Sequence, residues 1–136
     1  MILAIDIGGT KFSAAVFDGN HMVRRETRPT NAAGGCEWMT GQLRQILSTW
    51  RQEFSFTSCG IGFGGPVHFE RQRVVLSTHV SGWNDFDLCG FVSNLIGAPA
   101  IMDNDANVGA LGEAEFGAGV GCSPLFYMTL STGIGG

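Results

Sequence analysis

Residues 3–11 (LAIDIGGTK) constrain the fold of this chain more than any other stretch. An apolar run ends in Asp6 and a glycine pair, and a second apolar run follows at once. This pattern predicts a strand, a tight turn and a second strand. Glycine lets backbone N–H groups approach a ligand, and Thr10 and Lys11 add a hydroxyl and a positive charge. The bend therefore predicts a cradle for phosphate oxygens, with Asp6 placed to hold a hydrated cation. The alternative is a glycine hairpin that binds nothing.

Composition limits the class of protein. The chain has 136 residues, of which 44% are hydrophobic and 15% charged, so we expect one globular domain with a proper core. A net charge of −4 with only 8 Lys and Arg argues against nucleic-acid binding. The chain lacks an apolar run of ~18 residues and a signal peptide, so we expect a cytoplasmic protein without a membrane partner. Four cysteines outside any CxxC pair are predicted to be free thiols: Cys36, Cys59, Cys89 and Cys122.

Apolar periodicity and turn residues predict an α/β order along the rest of the chain. The helix over residues 36–54 has one apolar face that includes Trp50, and the strand over 21–28 carries charges typical of a sheet edge. The last strand ends in a glycine-rich turn without a visible return strand, so we expect one lobe of a two-lobed protein. Strands are predicted over residues 1–5, 12–17, 21–28, 58–63, 74–80, 100–102 and 125–130, and helices over 36–54, 87–96 and about 103–116.

Residues 60–65 (GIGFGG) contain a formal GxGxxG. In a dinucleotide-binding domain this turn opens a helix, whereas here Pro66 follows and the next residues have no helical stripe. The dinucleotide interpretation is therefore disfavoured. What remains is a floor without side chains beside a strand end, where a small polar ligand could pack closely.

Polar residues follow the predicted strand over 100–102. In Asp103-Asn104-Asp105 one residue is expected to cap the next helix, because Asp and Asn are preferred N-caps. Asn104 offers a donor and an acceptor and Asp105 an acceptor, which suits a sugar or polyol hydroxyl. A carboxylate there can accept the proton of an attacking hydroxyl and orient it for phosphoryl transfer. His79 and Trp83 flank a turn; His79 is either a hydrogen-bonded loop residue or a catalyst, and Trp83 is either core or a surface that stacks on a sugar face.

Four stretches of the chain, taken in their sequence order, resemble the ROK family of sugar kinases and sugar-responsive regulators. This family belongs to the actin-like, hexokinase-like ATPase superfamily. The joint pattern is more specific than any single motif. The stretches are residues 6–11 (first phosphate loop), 60–66 (sugar-side glycine segment), 104–107 with 110–113 (catalytic segment) and 129–136 (second phosphate loop).

The resemblance implies an α/β fold of two ribonuclease-H-like lobes, each a mixed sheet flanked by helices as in actin-like ATPases. ATP and sugar would bind in the cleft between the lobes. Residues 1–122 would form the N-terminal lobe, and residues 123–136 the first strand and phosphate turn of the second lobe.

The resemblance also assigns roles to particular residues. Asp105 would be the base, and Asn104, Gly65, His79 and Asp105 itself would hold the sugar. The family usually has Asn where this chain has His79, which leaves the identity of the sugar open. Asp6 would act near magnesium, through water. The ATP-binding residues would be Asp6, Gly8, Gly9, Thr10 and Lys11, with Thr132 and Gly133 on the opposite side.

The implied activity is ATP- and Mg²⁺-dependent phosphorylation of a hexose, either glucose or a close relative such as an N-acetylhexosamine or fructose. The full-length protein would be a homodimer without a nucleic-acid partner. A structural zinc motif and further sugar ligands would lie beyond Gly136, and the 136-residue chain alone would be inactive. Two alternatives stay open: a sugar-sensing regulator without catalysis, and an ATPase of the same superfamily that does not act on sugars.

Overall fold

A five-stranded mixed sheet organises the computed structural model, which describes residues 1–130 and 134–135. Short 3₁₀ turns occupy Ala32–Gly34 and Phe69–Arg71. The strands are β1 (Ile2–Ile7), β2 (Lys11–Asp18), β3 (His21–Pro29), β4 (Ser58–Phe63), β5 (Val67–His68), β6 (Arg73–Val74), β7 (Ala100–Asn104), β8 (Thr129–Leu130) and β9 (Ile134–Gly135), and the helices are α1 (Gly35–Glu53), α2 (Leu88–Ile96) and α3 (Asp105–Phe116).

The strand order of the sheet is β3-β2-β1-β4-β7. The first three strands form an antiparallel meander, and β4 and β7 add to β1 in parallel. The predicted first hairpin and the edge position of β3 are thereby confirmed. The register aligns Asp6 with Gly62 and Gly62 with Asp103, so these three residues share one row across the sheet. Because the carboxyl ends of β1, β4 and β7 meet at one edge, the glycine turns and the start of α3 come together there.

One face of the sheet carries the main core. Leu3, Ile5 and Ile7 alternate inward along β1 and are at most 3% exposed, and the apolar stripe of α1 covers them. Trp50, predicted to be core, is 1% exposed. The second covering helix, α2, is capped by Asp87, whose carboxylate accepts a hydrogen bond from Gly90 N at 2.8 Å. Burial of each leucine or isoleucine side chain in this core stabilises the fold by about 1.5–3 kcal/mol.

The outer edge of β7 is paired by a side chain. Gln72 accepts a hydrogen bond from Met102 N at 2.6 Å and donates one to Met102 O at 3.2 Å. Its amide thus mimics a neighbouring strand for one residue and occupies polar backbone groups that an edge strand would otherwise expose.

Two predicted strands are shorter than expected. Of residues 74–80 only Val74 lies in a strand, the two-residue Arg73–Val74, because the hydroxyl of Ser77 accepts hydrogen bonds from the backbone of His79 and Val80 and turns the chain. In the stretch 125–130 only Thr129–Leu130 forms a strand, and Ile134–Gly135 pairs with it antiparallel, apart from the main sheet. The expectation that this last strand lacks a return partner is therefore wrong. The proposed division between residues 122 and 123 stays a prediction.

The four cysteines are free thiols, as predicted, and three of them are buried. Burial, together with the charge of Asp87, raises the pKa of Cys89 to about 11, so this thiol is protonated at neutral pH. Among the described residues, every helix is too short or too polar to cross a lipid bilayer.

Candidate active site

The first glycine turn connects β1 to β2 and is braced from outside. Gly8 N donates a hydrogen bond to Lys11 O at 3.0 Å, which closes the turn. Thr30, just after β3, donates from its hydroxyl to Gly8 O at 2.9 Å and from its backbone N–H to Thr10 O at 2.9 Å. The turn is therefore held by the sheet on one side and by the loop after β3 on the other.

The second glycine turn follows β4 and contacts the first. Gly64 N donates to Ile7 O at 2.7 Å. A Cβ on Gly64 would lie 3.0 Å from Ile7 O and 3.4 Å from Gly8 Cα, and a Cβ on Gly65 would lie 2.9 Å from Leu76 O. A Cβ on Gly64 would therefore crowd the first glycine turn, whereas a Cβ on Gly65 would collide with the loop that contains Leu76. Glycine at position 64 allows the two turns to approach each other, and glycine at position 65 allows that loop to approach the second turn.

The polar stretch at the start of α3 faces these turns. Asn104 caps the helix: its Oδ1 accepts from Ala106 N at 2.9 Å, and its Nδ2 donates to Gly65 O at 3.0 Å. One amide therefore ties the helix to the second glycine turn. Oδ2 of Asp105 lies 3.6 Å from the Cβ position of Gly64. The structure thus brings Asp105, Asn104 and Gly65 together with the first glycine turn, as the sequence predicts.

Asp6 shares this edge with Asp105. A Cβ on Gly62 would lie 3.9 Å from Oδ1 of Asp6 and 3.7 Å from Cα of Asp105, so only a glycine separates them. Although solvent reaches Asp6, burial of its carboxylate raises the pKa above the ordinary value, and the charge of Asp105 raises it further. Lys11 and Arg25 oppose the shift. The net rise shows that negative charge is unfavourable here, and a cation would relieve that cost.

The residues fit Mg²⁺ in one specific way. Among the described residues, groups of three or more His, Cys, Asp or Glu that could enclose a metal are absent. Mg²⁺ usually keeps several waters and binds through one or two carboxylates together with substrate phosphates. Asp6, beside the glycine turn and with a raised pKa, fits such a ligand through water.

A cavity of about 440 Å³ opens on this face of the sheet. Its lining includes two polar side chains, Ser13 and Arg25, that the sequence motifs do not assign to the site. Arg25 is one of the charges that the sequence attributes to a sheet edge, and Ser13 shares a hydrogen bond of 2.8 Å with Thr27. Alternation along the strands could have predicted their place, because residues paired across neighbouring strands point to the same face of the sheet. Ser13 pairs with Asp6, and Arg25 pairs with Ala15. The lining includes Asp6, Ser13, Arg25, Gly62, Asp105 and Val108.

The two turn-flanking residues differ in placement. Trp83 is 1% exposed and packs edge-on against Phe63 and Phe86, with ring centroids 5.3 and 5.2 Å away, so it is core. The imidazole of His79 is exposed and lies against Gly9: a Cβ on Gly9 would be 2.8 Å from its Cγ. Thr132 and Gly133, predicted to bind ATP from the opposite side, lie outside the described residues.

Known proteins share this sequence and architecture. The profile of the ROK family matches residues 2–136. A glucokinase of Streptomyces coelicolor is 32% identical over 142 residues, which cover all of this chain and 42% of that protein. The ROK hexokinase of Thermus thermophilus superposes with a TM-score of 0.81 at 32% identity, over 98% of this chain and 45% of that one. A ROK glucokinase of Streptomyces griseus, solved with glucose and AMPPNP, gives a TM-score of 0.81 at 29% identity, over 98% and 42% of the two chains.

These similarities cover nearly the whole chain, whereas the chain spans less than half the length of each of these relatives. The mixed sheet flanked by helices is the actin-like ATPase fold of the ROK kinases. By its sequence profile and its fold, this chain belongs to the ROK family.

Proposed function

We propose that the protein transfers the γ-phosphoryl group of ATP to a hydroxyl of a hexose, with Asp105 as the base. One observation carries the proposal: the Asp105 carboxylate lies where two glycine turns meet, with its Oδ2 3.6 Å from the Cβ position of Gly64. A carboxylate beside a side-chain-free surface leaves room for both an alcohol and a phosphate chain. The proposed substrates are glucose or a close relative, such as an N-acetylhexosamine or fructose.

On the sugar side, Asp105 accepts the proton of the attacking hydroxyl while the hydroxyl oxygen forms its bond to the γ-phosphorus. Asn104 is fixed by its bonds to Ala106 N and Gly65 O, and its Oδ1 keeps a second lone pair for a sugar hydroxyl. The same amide holds the Gly65 peptide, which forms the floor of the sugar site. Phosphoryl transfer has a loose transition state, so these residues act mainly by orienting the nucleophile.

On the nucleotide side, the bond between the γ-phosphorus and the β–γ bridging oxygen breaks, and ADP leaves. Mg²⁺ bound through water beside Asp6 would neutralise phosphate charge. The proposed contacts from the opposite side of the cleft are Thr132 and Gly133. Closure of the cleft would exclude water and align the hydroxyl with the phosphorus. The groups proposed to face the phosphates are Gly8, Gly9, Thr10 and Lys11.

The whole protein is proposed to be a cytoplasmic homodimer that uses ATP and Mg²⁺. Because residues 1–136 correspond to 42% of the S. coelicolor glucokinase, we expect the isolated chain to lack turnover. Robust sugar phosphorylation by residues 1–136 alone would contradict that expectation.

The test replaces Asp105→Asn in the natural gene product that contains this chain. Loss of the base should lower kcat by about 100- to 10,000-fold and leave the affinity for sugar within about threefold. The matched control is Asp87→Asn, which removes a carboxylate at a remote helix start where Asn caps as well as Asp. A rate for Asp105→Asn within about threefold of the wild type would disprove the assignment of the base.

The same assay separates the alternatives. ADP release measured over a panel of hexoses should depend on the sugar if the protein is a hexose kinase. Sugar-independent ADP release would favour an ATPase that does not act on sugars. Sugar binding without ADP release would favour a sensor.

A further inference from the structure

The side chain of His79 lies on the first glycine turn. A Cβ on Gly9 would be 2.8 Å from Cγ of His79 and 2.9 Å from both Cβ and Cδ2, so the edge of the ring lies directly over this glycine. We propose that His79 binds the phosphoryl donor, by donating a ring N–H to a phosphate oxygen, and does not bind the sugar. The inference rests on the proposed function and deepens it.

The backbone of His79 is fixed while its side chain is open to solvent. Ser77 Oγ accepts hydrogen bonds from His79 N at 3.3 Å and from Val80 N at 3.2 Å. Val80 is 4% exposed and anchors the end of this turn in the core. Among the described residues the imidazole makes no hydrogen bond, so both ring nitrogens are available to a ligand. The fixed backbone keeps the ring beside the glycine turn, and the ring nitrogens can engage a ligand that binds there.

The position of His79 favours the phosphate over the sugar. The contacts run in the order Asp105, Gly64, Gly8, Gly9 and His79. The reacting sugar hydroxyl has to lie beside Asp105, at one end of this series, whereas the phosphate chain extends along the first glycine turn toward the other end. Hydrogen bonds to phosphate are charge-assisted, so a ring N–H there gains more than it would from a neutral sugar hydroxyl.

Equilibrium binding tests the assignment without requiring turnover. In the natural gene product, His79→Ala should weaken AMPPNP binding by about tenfold and leave glucose affinity within about twofold. His79→Gln keeps a side-chain N–H donor and should recover nucleotide affinity to within about threefold of the wild type. Loss of glucose affinity with unchanged AMPPNP affinity would overturn the proposal, and so would a variant that binds both ligands normally.

A paired substitution tests the contact itself. Gly9→Ala would place a methyl group against the side chain of His79, whose Cβ, Cγ and Cδ2 are the three atoms nearest to it. It should lower both the melting temperature and AMPPNP affinity, and the added change His79→Gly should restore the melting temperature, because it removes all three clashing atoms. If the double variant melts no higher than Gly9→Ala, the two residues do not touch in solution and the proposal fails.

These readouts separate the role of His79 from the proposed function. A wild type that binds AMPPNP through His79 but phosphorylates none of the hexoses would refute the proposed function and leave the assignment of His79 intact. An active hexose kinase whose nucleotide affinity ignores His79 would do the reverse.

Discussion

The two faces of the five-stranded sheet are built from the same strands but serve different ends. Leu3, Ile5 and Ile7 project to the face covered by α1 and α2 and are almost inaccessible. Asp6, between them in sequence, projects to the opposite face, where α3 begins. On that second face the large apolar side chains of α3 are open to solvent, with Leu111 63% and Phe116 76% exposed. Alternation along a strand thus places the fold's stability on one side and its chemistry on the other.

The second face is also made of smaller residues. On β4 this face has glycine at positions 60 and 62 and therefore no side chain there. In the same row of the sheet, Ala4 on β1 pairs with Gly60, and Ala15 on β2 pairs with Ala4. Because these residues are small, the start of α3 can approach the sheet closely and bring Asp105 near Asp6. Close packing on the first face stabilises the fold, whereas the open space on the second face leaves room for ligands.

The largest effect should come from paired leucine truncations on the helices of the two faces. Leu43→Ala removes a fully buried side chain of α1 and should lower the free energy of unfolding by about 2.5–5 kcal/mol. Leu111→Ala, on the exposed surface of α3, should change it by less than about 0.5 kcal/mol. Urea unfolding of the two variants measures the difference. Equal losses would show that the second face is packed as tightly as the first.

A smaller effect should separate two glycines that lie five residues apart. Gly65→Ala places a Cβ 2.9 Å from the backbone oxygen of Leu76, which cannot rotate away, and should cost about 1–3 kcal/mol. Gly60→Ala meets nothing within 4 Å and should stabilise the strand by up to about 1 kcal/mol, since glycine is unfavourable in a strand interior. Denaturant midpoints compare them. Should Gly60→Ala destabilise as much as Gly65→Ala, the open space described for the second face would be filled in solution.

Local patterns were enough to predict most of the fold. The apolar stripe that includes Trp50 defines α1, and the glycine pair after Asp6 defines the first turn, because both depend on residues close in sequence. The prediction of a strand over 74–80 was wrong because the hydroxyl of Ser77 accepts hydrogen bonds from the backbone N–H groups of His79 and Val80, and an apolar pattern does not show that competition.

The site was predictable only in part. Asp105 and the glycine turns lie together as expected from the motif order, since parallel strands bring their ends to one edge. The contact of His79 with Gly9 and the place of Arg25 in the cavity depend on loop path and strand order, which join residues far apart in the chain.

The smallest effect should be a dependence of stability on pH at Asp6. Burial and the charge of Asp105 raise the pKa of Asp6 above 3.8, the ordinary value, so the folded protein holds this proton more tightly than the unfolded chain does. Ionised Asp6 therefore destabilises the fold at neutral pH. The penalty is complete above the raised pKa and disappears as the pH falls below about 3.8. Asp6→Asn, which removes the charge, should melt at a higher temperature than the wild type at pH 7.

Melting curves of both proteins from pH 7 down to pH 3 measure this prediction, with Asp87→Asn as a control for loss of a carboxylate on the α2 side of the sheet. The difference between Asp6→Asn and the wild type should shrink as the pH falls, because wild-type Asp6 becomes neutral in both the folded and unfolded states. Mg²⁺ with AMPPNP should also stabilise the wild type more than Asp6→Asn at pH 7, since only the wild type has the charge to neutralise. A stability gain that persists at pH 3 would assign the effect to packing and remove the electrostatic argument for a cation beside Asp6.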